Sequence, residues 1–334
     1  MRLHREAIVI DTHSDTLMQL TQQSASVRRQ PFRKLGERSA AGHIDLPRLI
    51  EGGVTCQTFS MYTGLTSSYP NALKTALLMV DTFYTGIQDN REKIVNVRNS
   101  EEIVKAKKDG KVGALLSIEG AEPLMGEVGI LRVFHMLGVR MLSFTWNWRT
   151  DFADGLSETR AQSKLTTKGI AALEEMQRLG MVFDVSHITD ACFWDTVENI
   201  KGPFIASHSN SREVCNVPRN LTDDMLKALA DKGGVTGMNF APGFIVSRER
   251  LASGYKATVE DLVNHIDHIV KVVGPDHVGL GSDFDGIGDP PVGLEDVSKV
   301  PNITRVLVKR GYSDEDILKI LGDNFLGVFK KVLG

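Results

Sequence analysis

His13-Ser14-Asp15 sets an imidazole and a carboxylate two residues apart at the end of an apolar run. Side chains alternate along an extended strand, so positions 13 and 15 share a face and can reach one metal ion together. Glu119, His187 and His208 each end another short apolar run farther along the chain. A single histidine at a strand end is more often a hydrogen-bonded structural residue, and a His-x-Asp pair occurs by chance. Five such residues in one register, the last turn of separate strands, form a donor set. Three nitrogens and two carboxylates suit zinc or a similar divalent ion, and one carboxylate with two oxygens can bridge a pair of ions. Asp283 ends a further run, and beside metal-activated water it is a candidate general base. Asp285, next to Gly286, reads as a turn former. The remaining histidines fall outside this register. His135, His265 and His268 lie in helical patterns, His277 begins its run, His4 precedes the first run and His43 sits in a loop. None of these six is expected to act in catalysis.

Such a set works only if separate strand ends meet. Eight β-branched or apolar runs are present, at 8–15, 54–62, 112–120, 139–147, 181–187, 203–210, 235–240 and 277–285. Between them lie residues at helical spacing, such as Ile130, Val133, Phe134 and Leu137, or Leu262, Ile266, Ile269 and Val273. Thr222-Asp223-Asp224 opens one helix, and Gly138, Gly180 and Gly274 close others. This alternation implies an α/β fold, a parallel sheet covered by helices. Eight repeats favour closure into a (β/α)8 TIM barrel, with the metal site at the C-terminal face where the βα loops assemble active sites. The competing doubly wound sheet expects a Gly-rich phosphate turn after its first strand, where this chain reads Asp11-Thr12-His13-Ser14-Asp15. The 334 residues exceed the roughly 250 of a typical barrel by what loops and terminal helices absorb, so 1–334 reads as one hydrolase domain. Segment 24–42, with Arg28, Arg29, Arg33, Lys34 and Arg38, reads as a solvated loop in preference to an active-site flap.

Composition removes other classes of function. The net charge of -3 arises from 39 basic and 42 acidic side chains spread along the chain, so no basic stripe is offered to nucleic acid. No stretch approaches the roughly 20 apolar residues of a membrane span. Charges interrupt the first ten residues, unlike a secretory signal, and the expected location is cytoplasmic, with no membrane partner. Cys56, Cys192 and Cys215 form no CxxC pair and read as reduced packing residues.

Several motifs, in order and spacing, resemble the membrane (renal) dipeptidase family of metallopeptidases, a branch of the amidohydrolase-like barrels. They are Ile10-Asp11-Thr12-His13-Ser14-Asp15, Gly42-His43-Ile44-Asp45-Leu46-Pro47-Arg48-Leu49, Ser117-Ile118-Glu119-Gly120, Asp184-Val185-Ser186-His187, Ser207-His208-Ser209-Asn210, Pro218-Arg219-Asn220 and Gly281-Ser282-Asp283-Phe284-Asp285-Gly286. The resemblance covers essentially the whole chain and is to a bacterial-type soluble member, without the anchor and secretory signal of the animal enzymes. It implies two zinc ions per chain, one on His13 and Asp15, the other on His187 and His208, with Glu119 bridging. It implies a dipeptide substrate, often with a D-residue at the carboxyl side, whose peptide carbonyl is attacked by a hydroxide held between the metals. Asp283 then handles the proton, Arg219 grips the substrate carboxylate, and family habit suggests a homodimer.

Two departures matter. Trp146 stands where animal members have a histidine thought to steady the oxyanion, which leaves Asn147 or Arg149 as candidate donors to the substrate. Phe244 lies close to where they have a carboxylate-binding tyrosine. The same centre acting on another amide, lactam or N-acyl amino acid is the alternative, because one barrel design hosts many chemistries. A metal-binding scaffold without turnover is opposed by the complete set of ligands and Asp283.

Overall fold

Each of the eight runs contributes one strand of a closed barrel, and one further strand joins them. The strands are β1 (Ile10–Asp11), β2 (Cys56–Tyr62), β3 (Ile94–Asn96), β4 (Val112–Glu119), β5 (Val139–Ser143), β6 (Val182–Asp184), β7 (Ile205–Ala206), β8 (Val235–Met238) and β9 (Val278–Leu280). They come from a computed structural model that describes residues 2–21, 33–64, 69–161 and 163–334. All pairings are parallel. β1 lies between β2 and β9, β2 pairs with β4, and β4 through β9 follow in order, so eight strands close with helices between them. β3 is the addition. It pairs with β4 from Ile94↔Val112 to Asn96↔Ala114, before β5 takes over from Leu116. Its three residues, with Val95 exposed, are too few to show a periodic pattern.

Register explains how the interior is graded. Alternate residues of β2, Cys56, Thr58, Ser60 and Tyr62, share a face with their β4 partners Gly113, Leu115, Ser117 and Glu119. At the amino end, Ile10, Cys56, Leu115, Met141, Val182, Ile205 and Val235 form one buried cluster with Phe325, Val328 and Phe329. Helix Asn324–Val332 therefore plugs the bottom of the barrel with aromatic rings. Gly279 makes room, since a Cβ there would lie 2.4 Å from a ring carbon of Phe325. Toward the carboxyl end the interior turns to Ser60, Ser117, Ser143 and Asp184, and then to the ionisable residues of the candidate site. A larger apolar cluster packs between the strands and the helices outside.

The helix signals hold with one qualification. Thr222 accepts a hydrogen bond from Met225 N and caps helix Asp223–Asp231. Gly180 ends Thr167–Leu179 at φ 66, a left-handed conformation that glycine adopts at little cost. In Val128–Met136, Phe134 is buried but Val133 is exposed, so that helix buries a narrower stripe than its spacing suggests. All three cysteines are buried and free.

The loop containing Arg33 requires correction. Arg28 and Arg29 lie outside the described residues. Lys34 and Arg38 are exposed, as a solvated loop requires. Arg33 is instead buried and ion-paired with Asp285 at 3.0 Å, so Asp285 is more than a turn former.

One buried histidine makes stability depend on pH. Ser211 N–H donates to His265 Nδ1 at 3.2 Å, and Nε2–H donates to the Ile245 carbonyl at 2.9 Å. Burial holds this neutral ring down at about 4, from an ordinary 6.5. As pH falls through that window, the unfolded chain gains a proton that the folded chain refuses. Stability should therefore drop by on the order of 3 kcal/mol between those values. Urea titrations near neutral and acid pH should show a smaller loss for His265→Gln than for wild type, and equal losses would rule the effect out.

Candidate metal centre

Barrel closure brings the ends of β1, β4, β6 and β7 together. His13 lies two residues past β1, Glu119 ends β4, and His187 and His208 follow β6 and β7. All four are buried, as is Asp15. Glu119 Oε2 is 3.6 Å from His13 Nε2, while Oε1 is 2.8 Å from His187 Nε2 and 3.4 Å from His208 Nε2. Asp15 Oδ2 lies 3.8 Å from His13 Nε2. Among the described residues, ligand-capable atoms form three overlapping groups, each within 4.8 Å: His13, Asp15 and Glu119; Glu119, His187 and His208; and His13, His208 and Asp283. Glu119 belongs to two of them, with a different oxygen turned to each. His4, His43, His135, His265, His268 and His277 belong to none of these groups.

The residues behind the histidines fix which nitrogen faces the centre. His187 Nδ1–H donates to Asn147 Oδ1 at 3.0 Å. His208 Nδ1–H donates to Ser207 Oγ at 2.6 Å, and that hydroxyl donates to Asp184 Oδ2 at 2.5 Å. Asp184 Oδ1 is held by the backbone N–H groups of Ser186 and Ser207. With both Nδ1 protons directed outward, the two Nε2 lone pairs face each other at 3.0 Å. Two lone pairs and a carboxylate oxygen aimed at one point repel one another, and a cation between them turns that repulsion into binding. His13 Nε2 and Asp15 Oδ1 are also buried, without a hydrogen-bond partner among the described residues. This donor set fits divalent metal.

Electrostatics divide the donors: burial would lower His13, but Glu119 and Asp15 raise it well above its ordinary value. Burial pushes Asp15 up to about 7, with Glu119 adding to the effect. Burial likewise raises Asp283 to about 6, against the pull of His13 and with a push from Glu119. Glu119 would also rise on burial, but His13 and His187 hold it well below the usual carboxylate range. Burial lowers His187 to about 4 and His208 well below its ordinary value, so both stay neutral, as imidazole ligands must. Asp283, at φ 62, accepts a hydrogen bond from Asn239 Nδ2 at 2.9 Å. Asn239 is itself fixed by Asn210 Oδ1 and by Ala241 N–H. Sequence reasoning missed the supporting roles of Asp184, Ser207 and Asn239. The first two lie inside the Asp-Val-Ser-His and Ser-His motifs, and Asn239 carries the same signal as the candidate ligands, a polar residue ending an apolar run.

A cavity of about 290 Å³ opens above the centre, with Asp15, Glu119 and Asp283 in its floor and Tyr62, Trp146, Phe244 and Ile287 in its walls. Trp146 packs on Tyr62, with ring centres 5.1 Å apart. Arg219 is buried and donates from Nη1 to Ser209 Oγ at 2.6 Å, while Nε and Nη2 have no hydrogen-bond partner among the described residues. Its guanidinium carbon lies 5.8 Å from the centre of the Phe244 ring. The two candidate oxyanion donors fare differently. Asn147 is next to the centre, but its carbonyl oxygen is committed to His187, which leaves only its amide hydrogens for a substrate. Arg149 is half-exposed and paired with Asp154, so its guanidinium is already engaged at the surface.

The chain matches the family model described as membrane dipeptidase (Peptidase family M19) over residues 1–333. It is 34% identical over 346 residues to the uncharacterized dipeptidase C965.12 of Schizosaccharomyces pombe, covering 98% of this chain and 81% of that protein. A metallo peptidase from Rhodobacter sphaeroides, solved with a phosphinate mimic of the dipeptide L-Ala-D-Ala, superposes with a TM-score of 0.88 at 28% identity, over 98% of this chain and 100% of that one. A second solved metallo peptidase, dipeptidase AC, superposes with a TM-score of 0.89 at 28% identity, over 98% and 99% of the two chains. Among the described residues, no helix is long and apolar enough to cross a membrane. On the match across its whole length, the chain belongs to the membrane dipeptidase family, Peptidase family M19, and is a metallopeptidase.

Proposed function

We propose that this metallopeptidase hydrolyses dipeptides, including those with a D-residue at the carboxyl side, with two zinc ions in the cage. His13 and Asp15 would hold one ion, His187 and His208 the other, and Glu119 would lie between them. The observation that carries this reading is the division of Glu119, with Oε2 turned to His13 and Oε1 to His187 and His208. Bound there, the ions would supply Lewis acidity at the scissile carbonyl and a water made nucleophilic at neutral pH. Asp283 takes the proton on its carboxylate and passes it to the leaving amine, while Asn239 keeps that carboxylate aimed at the centre. Tyr62, Trp146 and Phe244 line the cavity in which the dipeptide would sit. The dipeptide mimic carried by the Rhodobacter relative supports the choice of substrate. The test is a stereochemically complete dipeptide screen on zinc-loaded enzyme, alongside lactams and N-acyl amino acids. Faster turnover of the latter than of any dipeptide would replace this reading with the broader amidohydrolase one.

Arg219 supplies the second half of recognition. A buried guanidinium with two free donors is costly unless an anion meets it, and its planar fork suits a carboxylate. Arg219→Ala should lower kcat/KM for free dipeptides by roughly 10- to 150-fold, the equivalent of about 1.5–3 kcal/mol. The same peptides with an amidated carboxyl end should lose much less. Equal losses on acid and amide substrates would refute carboxylate recognition.

A further inference from the structure

Asp283 and Asp285, in the turn after β9, both hold backbone in the left-handed region, at φ 62 and 68. Residues other than glycine keep such a conformation only where the surroundings over-determine it. Asp285 shows what does so. Its buried Oδ1 accepts from Arg33 Nη1 at 3.0 Å and from His43 N–H at 2.7 Å. Oδ2 accepts from Thr16 Oγ1 at 2.9 Å and from Arg33 Nη2 at 3.3 Å. The Asp285 N–H donates to His43 Nδ1 at 2.9 Å, and Arg33 also donates to the Ile44 carbonyl.

The packing around this pair leaves no slack. A Cβ on Gly42 would lie 1.8 Å from Arg33 Nη1 and 2.5 Å from Asp285 Oδ1. On the other side, a Cβ on Gly286 would lie 2.0 Å from Asp15 Oδ2 and 2.6 Å from Asp283 Oδ1. The turn thus presses bare backbone against two carboxylates of the centre, and any shift of the turn moves Asp283.

We propose that the Arg33–Asp285 ion pair holds the turn from which Asp283 is aimed, alongside the Asn239 hydrogen bond to its carboxylate, so that Arg33 and Asp285 are both positioning residues for the proton-handling group. The pair clamps the left-handed turn to the segment around His43, 242 residues away in sequence. This inference rests on the reading of Asp283 as that carboxylate.

Asp285→Asn, Arg33→Met and Arg33→Lys, made in the full chain and loaded with zinc, test it. A displaced catalytic group is expected to lower kcat by roughly 10- to 100-fold while KM changes by less than about threefold. Metal content should equal wild type, and Arg33→Lys should recover part of what Arg33→Met loses. Wild-type kcat in folded, metal-replete Asp285→Asn would overturn the proposal, as would a loss confined to KM or one that tracks loss of metal. If these variants do not fold, Thr16→Val removes one of the four bonds to the Asp285 carboxylate. It should lower kcat by roughly 2- to 5-fold, and an unchanged kcat there would likewise overturn the proposal. Asp283→Asn separates the two levels. Unchanged kcat in that variant overturns the parent reading, whereas a depressed kcat beside an unaffected Asp285→Asn overturns the positioning role alone.

Discussion

Glu119→Gln is expected to lower bound metal clearly below the wild-type ratio and to reduce dipeptide hydrolysis by roughly 10³-fold, the equivalent of about 4 kcal/mol of lost transition-state stabilisation. The substitution keeps the shape of the side chain and removes its charge. Oε1 and Oε2 of Glu119 now face opposite histidine groups, so the amide must turn an NH2 toward one of them. A donor aimed where an ion sits repels it, and the remaining oxygen is a weak neutral ligand. The histidines would also lose the carboxylate that Glu119 alone places between His13 and His187. Metal analysis by mass spectrometry, run beside a turnover assay, reads both effects. A variant that retains the wild-type metal ratio and full activity would show that the bridging assignment is wrong.

Asp283→Asn should act differently, keeping metal while lowering kcat by roughly 10²- to 10⁴-fold, the range expected on removal of a general acid–base. The neutral side chain can still accept the Asn239 amide through its remaining oxygen, so the turn and the fold should survive. What it cannot do is take a proton at neutral pH. Metal content and melting temperature close to wild type, together with the fall in kcat, would identify proton transfer as the missing function. A near wild-type kcat would move that function to another residue.

The barrel was legible because its strands leave local marks, and the same marks pointed to the residues that meet in the candidate centre. A buried parallel strand is a short apolar run, and the candidate residue comes where that run stops, as at Glu119, His187 and His208. What was not legible depends on tertiary meetings. Nothing near Arg33 in sequence indicates that its charge is buried against Asp285, 252 residues away. Asn147 drew attention as a donor beside the unexpected Trp146, but only the folded chain shows its carbonyl oxygen on His187. β3 escaped because three residues cannot establish a period. Ser207 and Asp184 were visible as motif letters, yet their line-up behind His208 needs β6 and β7 side by side.

The aromatic plug at the bottom of the barrel and the pairing of β1 with β9 set an order of events during synthesis. A chain emerging amino end first presents Ile10, Cys56, Leu115 and Met141 to solvent before the strand that closes the ring and the helix that covers them have been made. Pairings between the first and last strands are non-local, and such topologies fold slowly with transiently exposed apolar edges. Until its last helix docks, the nascent protein keeps the apolar bottom of the barrel uncovered. His13 waits as well, because the ring that brings the strand ends of the candidate centre together closes only when β9 pairs with β1.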